Sequence, residues 1–323
     1  MKNYLFISDS RDAWENLALD EWLLDHVGDD ELVLYFYVNE NAVIIGKNQN
    51  PWKECNLAKM EEDGVQLTRR VSGGGAVYHD GGNLNFSFNA GKNRYDTDKQ
   101  FALILESVRK MGIPCEFSGR NDLTAEGKKF SGNAFCARRT NKQHHGTLLI
   151  HSDLARLSEY LRPDPRKIQS KGIDSVRSRV CNLSEFAPDL SVREMLKVIP
   201  DAFRAVYGAF EPFVLSEQDK TELKTYYEKH SSREWRVGNT PKFEIEIEER
   251  FPWGGVQMLL SLEKSVITEV QVFTDAMNAE LPAEIESLLL GTHFGSEFMA
   301  QALEASPNAE PRELADFIRN IKL

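Results

Sequence analysis

Three consecutive glycines, Gly73–Gly75, stand between two strand-like stretches, and neither a helix nor a strand gains anything from running through them. They call for a loop whose backbone can approach a ligand closely and turn N–H groups toward it, as a phosphate or carboxylate cradle requires. Arg69 and Arg70 lie just ahead and supply fixed charge of the sign an acidic ligand needs. Taken alone, a glycine run is a flexible loop. Paired arginines and flanking strands make an anion site the better reading of the stretch that runs to Ala76, Val77, Tyr78, His79 and Asp80.

Around this loop the hydrophobic pattern alternates between helical and strand periods. Residues 12–27 read as a helix with Ser10 as candidate N-cap, and Leu32–Tyr37 and Ala42–Ile45 as buried strands. Leu84, Phe86 and Phe88 alternate with Asn85, Ser87 and Asn89, the pattern of a half-buried strand. An amphipathic helix follows at 97–111, a capping box at Ser191 and Glu194 opens another, and a further helix spans 217–232. The pattern breaks near 234–242, where Arg236 to Pro241 reads as a linker. Beyond it come strands from Phe243 and at 256–262 and 266–273, then helices opened by Pro282 and Pro311. Without strict strand–helix alternation the class is α+β. The expected organisation is a large domain over 1–238, a mixed sheet with flanking helices, and a small α+β domain over 243–323.

Composition narrows the function classes. Hydrophobic residues make up 41% and charged residues 28% of 323 residues, enough to fill a core. A net charge of −11 argues against non-specific nucleic-acid binding. No stretch reaches the roughly 20 apolar residues of a membrane span, and the start lacks a signal-peptide pattern, so a cytoplasmic location is expected. Cys55, Cys115, Cys136 and Cys181 are scattered without a C-x-x-C and read as free thiols.

Two further segments carry chemistry. From Gly119 to Phe135, turn glycines surround Asp122, an oxygen ligand of the kind Mg²⁺ accepts, and Glu126-Gly127-Lys128-Lys129 reads as a hairpin tip. This is not a Walker loop, because no Ser or Thr follows the first lysine. His144-His145-Gly146-Thr147-Leu148-Leu149 lacks further ligands at zinc spacing, and a strand entry with one histidine facing a pocket is the better reading. No dinucleotide fingerprint and no serine-nucleophile motif is present.

Together these segments resemble the lipoate–protein ligase A family. Arg69–Asp80 matches its R-R-x-S-G-G-G-A-V-[YF]-H-D pattern without a gap, Arg120–Gly132 its R-x-D-L-turn-K-x-S-G hairpin, and 144–149 its H-H-G-T-L-L. Asn16–Glu21 is similar to its N-terminal helix, and Lys171-Gly172-Ile173 with Ser175–Val180 to a later segment. The resemblance implies a biotin/lipoate ligase-like catalytic domain followed by an accessory domain. It implies that Arg70 and the backbone of Gly75, Ala76, Val77 and Tyr78 bind the adenylate, and that Ser72, Gly73 and Gly74 line the lipoyl channel. Lys129 takes the position of the catalytic lysine, with Lys128 one register step away.

The chemistry implied is attack of the lipoate carboxylate on the α-phosphate of ATP, giving lipoyl-AMP. The acyl group then passes to a lysine of a lipoyl domain, in 2-oxoacid dehydrogenase acyltransferase subunits or glycine cleavage H protein. Mg²⁺ on the departing phosphates and a lysine between the two anions supply the charge stabilisation. A cysteine-dependent octanoyl or lipoyl transferase of the same fold, using Cys136 or Cys115, and a non-catalytic lipoyl- or nucleotide-binding regulator are the alternatives.

Overall fold

Asp12 rather than Ser10 caps the first helix. Its Oδ1 accepts from the backbone N–H of Trp14 at 2.7 Å and of Glu15 at 3.1 Å. Ser10 is spent one step earlier, accepting from the N–H of Asp12 and donating to Glu15. The computed structural model describes residues 1–119, 121–161, 180–238 and 245–321. Arg120, Lys171–Ile173 and Ser175–Arg179, on which parts of the sequence reading fall, lie outside the described residues, as do 239–244.

Two compact units emerge. One comprises Met1–Ile45, Pro51–Val71 and Ala76–Arg236; the other comprises Gly46–Asn50, Ser72–Gly75 and Val237–Leu323. In the first, strands β1 (Lys2–Ile7), β2 (Glu31–Tyr37), β3 (Ala42–Ile45), β4 (Gln66–Arg69), β5 (Val77–His79) and β6 (Asn83–Ala90) precede the hairpins. Then come β7 (Glu116–Ser118), β8 (Asp122–Ala125), β9 (Lys128–Arg138), β10 (Asn141–Leu149) and β11 (Glu211–Pro212). They build an eight-stranded mixed sheet, β11-β1-β2-β6-β10-β9-β8-β7, and a three-stranded one, β4-β3-β5.

The principal helices of this unit are α1 (Ala13–His26), α2 (Thr97–Arg109), α3 (Leu154–Tyr160), α4 (Val192–Tyr207), α5 (Glu217–Ser231) and α6 (Arg233–Val237). Helix α4 opens on the expected capping box, Ser191 with Glu194, and α5 on a second, Ser216 with Asp219. Helix α6 occupies the start of the stretch read as linker, because Trp235 finds a ring partner in His230.

Strand β6 is buried on both faces, not half-buried. Leu84, Phe86 and Phe88 join Leu34, Phe36, Ile104, Ile199 and Phe203 in the main core. The opposite face is covered by α1, whose Leu17, Trp22 and Leu23 pack with Tyr35 and Tyr37. Asn85, Ser87 and Asn89 tolerate that burial through hydrogen bonds: Asn89 donates to Asp20, and Gln143 donates to Asn89 at 2.9 Å. Alternation revealed the strand, but only the helix above it decided whether the polar face met water.

The second unit is a meander of β12 (Ile245–Phe251), β13 (Gly254–Glu263) and β14 (Val266–Thr274) under α7 (Leu281–Leu289), α8 (Ser296–Glu304) and α9 (Ala309–Asn320). Ile247, Met258, Leu260, Ile285, Met299, Leu303, Leu314 and Ile318 form its core. Pro282 stands in the first turn of α7, as expected. Helix α8 was not anticipated; no side chain caps its N-terminus, so the usual start signal is missing. Among the described residues no helix is long and apolar enough to cross a membrane.

Candidate active site

Strands β8 and β9 meet at Glu126-Gly127, both at positive φ (48° and 76°), the requirement of a type I′ hairpin turn. The ladder pairs Ala125 with Lys128 and Thr124 with Lys129, then slips, pairing Leu123 with Ser131 and Asp122 with Gly132. Phe130 is the extra residue of this bulge and is fully buried in the main core. Lys129 therefore turns away from that core, and its Nζ lies 2.7 Å from Asp122 Oδ1, each side chain about a third exposed. Lys128 is directed elsewhere, with Nζ 3.7 Å from Glu185. Register thus separates two lysines that adjacency in sequence leaves equivalent.

The arginine pair also divides. Arg69, at the end of β4, is buried and donates to the carbonyls of Trp235 and Arg236 at 2.9 and 3.0 Å, while Trp235 Nε1 donates back to its carbonyl. Its charge serves the last turn of α6. Arg70 bonds through its backbone N–H to Ile45 and through its guanidinium to the carbonyl of Ile44. Burial lowers its pKa to about 10, which leaves it cationic at neutral pH.

Strand β5 follows the motif. Val77 and Tyr78 pair with Ile44 and Val43 of β3. The Tyr78 ring lies 5.4 Å from Tyr160 and under the Arg156 guanidinium, and its hydroxyl donates to Asn41. His79, on the opposite face, is buried with Nδ1 against Asn39; burial, then Arg70 and His145, lower its pKa to about 3, so the ring is neutral. Its Nε2 and the Oδ1 of Asn83 are buried without a partner among the described residues. Such atoms signal a ligand or water facing them. Local sequence gives neither residue a role: Asn83 shares the parity of Asn85, Ser87 and Asn89, a polar face that looks solvent-facing until α1 covers it.

The two adjacent histidines point to opposite faces of β10. His144 stacks among Phe88, Phe101 and Phe135 and is neutral, because burial lowers its pKa to about 3. His145 lies 2.9 Å from Asp20 of α1. Gly146 beside them has no room for a side chain: a Cβ would stand 2.4 Å from Asn133 Oδ1 and 2.6 Å from the Phe86 ring.

The glycine loop proper belongs with the second unit. Ser72 is fully buried, and its carbonyl accepts from the N–H of Lys47. Gly74, at φ 92°, donates its N–H to Ala276, and a Cβ on Gly73 would stand 2.5 Å from that same carbonyl oxygen. Gly75 has open space where a Cβ would project. Two of the three glycines are thus demanded by chain packing, and the N–H of Gly74 goes to a carbonyl instead of facing a ligand.

No group of three or more His, Cys, Asp or Glu that could hold a metal occurs among the described residues. Asp122 offers one hard, partly exposed carboxylate. That suits Mg²⁺, which takes one or two protein carboxylates together with substrate phosphates. No disulfide joins the four cysteines; burial raises the thiol of Cys115 and lifts that of Cys181 to about 11, away from the thiolate a nucleophile needs.

Residues 12–204 match the family model of the lipoyl protein ligase A/B catalytic domain, and 240–319 that of the bacterial lipoate protein ligase C-terminus. The solved structure of P. falciparum LipL1 in complex with lipoate is similar over 98% of both chains, with 28% identity and a TM-score of 0.85. A bipartite lipoate protein ligase from Thermoplasma acidophilum, studied with its E2 lipoyl domain, aligns over 76% of this chain and 100% of its own, with 29% identity and a TM-score of 0.67. A lipoate-protein ligase A bound with ATP aligns over 74% of this chain and 99% of its own, with 29% identity and a TM-score of 0.65.

Proposed function

The chain belongs to the lipoate–protein ligase family, and from that premise we propose that it activates lipoate with ATP and transfers the lipoyl group to a lysine of lipoyl domains. The acceptors are the acyltransferase subunits of 2-oxoacid dehydrogenases and glycine cleavage H protein. The observation that carries the reading is the Lys129 amine, held 2.7 Å from a carboxylate yet open to solvent. Exposed ion pairs are weak, so the amine beside Asp122 can take up substrate anions from that position at little cost.

A carboxylate is a poor electrophile, so its oxygen must first become a leaving group. The lipoate oxygen attacks the α-phosphorus, the bond to pyrophosphate breaks, and lipoyl-AMP remains. Lys129 holds the two anions together and stabilises the charge that spreads over the phosphoryl oxygens. Arg70 and the backbone of Gly75, Ala76, Val77 and Tyr78 hold the adenylate; Ser72, Gly73 and Gly74 line the lipoyl channel. Asp122 would hold Mg²⁺, which neutralises phosphate charge when bound. The neutral amine of the acceptor lysine then attacks the acyl carbon, AMP departs, and the amine gives up a proton.

Lipoate-dependent exchange of labelled pyrophosphate into ATP tests this. It is expected in the wild type and in a variant with all four cysteines changed to serine. Absence of exchange, with acyl transfer from an acyl-carrier protein intact, would establish the cysteine-dependent transferase instead. Binding of lipoate or nucleotide without turnover would mark a regulator.

A further inference from the structure

The β8–β9 bulge has a steric consequence at Gly132. In an unbroken strand, residues 129 and 132 project to opposite faces. The extra residue, Phe130, shifts that parity and brings both to the face away from the main core. The Lys129 side chain then folds back along its own strand. A Cβ at 132 would stand 2.9 Å from Lys129 Nζ and 3.0 Å from its Cε, well inside the roughly 3.5–4.0 Å of ordinary contact.

Other glycines of the chain are crowded by rigid groups. At Gly73, Gly82 and Gly91 the obstructing atoms belong to backbone, so a side chain there distorts the fold. At Gly132 only the end of the lysine is in the way. Its backbone is not in the left-handed region, and its N–H donates to Thr147 Oγ1, a bond any residue retains. Nothing in the fold itself requires glycine there.

We infer that Gly132 is a positioning residue: the space left by its missing side chain is where the Lys129 amine sits. Asp122, directly across the ladder from Gly132, holds the amine over that space at 2.7 Å. A methyl group at 132 moves the amine by about 1 Å while the strand stays intact, and misplacement on that scale costs on the order of 10²-fold in rate. The consequence for catalysis rests on the activating role proposed above for Lys129, but the displacement of the amine does not.

Gly132→Ala tests the inference by three measurements on the full-length protein. Pyrophosphate exchange is expected to lose about 10²-fold in kcat, with KM for lipoate and ATP within about twofold. The melting midpoint is expected to stay within a few degrees of wild type. The ¹⁵N resonance of the Lys129 ammonium, assigned by its loss in Lys129→Arg, is expected to move. Exchange at the wild-type rate overturns the inference. So does lost exchange with a collapsed midpoint and an unmoved resonance, which makes Gly132 structural. If the wild type shows no exchange, the proposed function fails, and the resonance alone decides: a shift in Gly132→Ala upholds the positioning role and an unmoved signal overturns it.

Discussion

Two lysine–carboxylate pairs in the first unit have nearly the same contact distance and opposite characters. Glu21 and Lys229 meet at 2.6 and 2.7 Å, Asp122 and Lys129 at 2.7 Å. Glu21 is 3% exposed and also takes Arg138 at 2.7 Å and His230 at 2.8 Å, whereas Asp122 is 38% exposed. Burial alone would raise the Glu21 carboxyl, but the hydrogen bonds from His230 and Lys229 outweigh it and hold the pKa down to about 2. Burial lowers the pKa of His230 itself, so it serves as a neutral donor, its buried Nδ1 without a partner among the described residues, and Lys229 and Arg138 carry the counter-charge. The Glu21 cluster ties α1, β9 and α5 together permanently. Distance does not distinguish a structural pair from an exchangeable one; burial and the number of partners do.

That contrast breaks if Lys129→Ala lowers the melting midpoint substantially. The expected result is a loss of about 10³-fold in pyrophosphate exchange with the midpoint nearly unchanged. Glu21→Gln should do the reverse, costing about 3 kcal/mol of unfolding free energy while activity per folded molecule survives; denaturant titration with exchange assays would show it.

A pH series sharpens the same point. Because the Glu21 pKa is lowered from 4.5 to about 2, its stabilisation is full above pH 4.5 and disappears as pH falls toward 2. The change amounts to about 3 kcal/mol, and Glu21→Gln should flatten the unfolding profile over that window.

The arginine pair offers a milder version. Arg70→Ala should raise KM for ATP by about tenfold with little change in stability, while Arg69→Ala should cost about 2 kcal/mol of stability and leave KM intact. The smallest effect belongs to Lys128→Ala, whose exchange rate should stay within about twofold of wild type, since its amine faces Glu185.

Much of this was written in local sequence. The triple glycine, the hairpin tip at Glu126-Gly127, the capping box at Ser191 and the period-2 pattern of β6 depend on few neighbouring residues, and each was legible. Polar burial was not. Asn85, Ser87 and Asn89 look solvent-facing until α1, some 60 residues earlier, covers them. The diversion of Arg69 to Trp235 and Arg236 is equally non-local, a contact across more than 160 positions.

By itself the sequence determined the family and the α+β class and marked the residues proposed for the site, because motifs and periodicities are properties of neighbours along the chain. Tertiary structure decided which lysine lies beside Asp122, which arginine is drawn to the carbonyls of Trp235 and Arg236, and which glycines the packing itself demands. Those outcomes turn on register and coverage, and both are fixed only when distant segments meet.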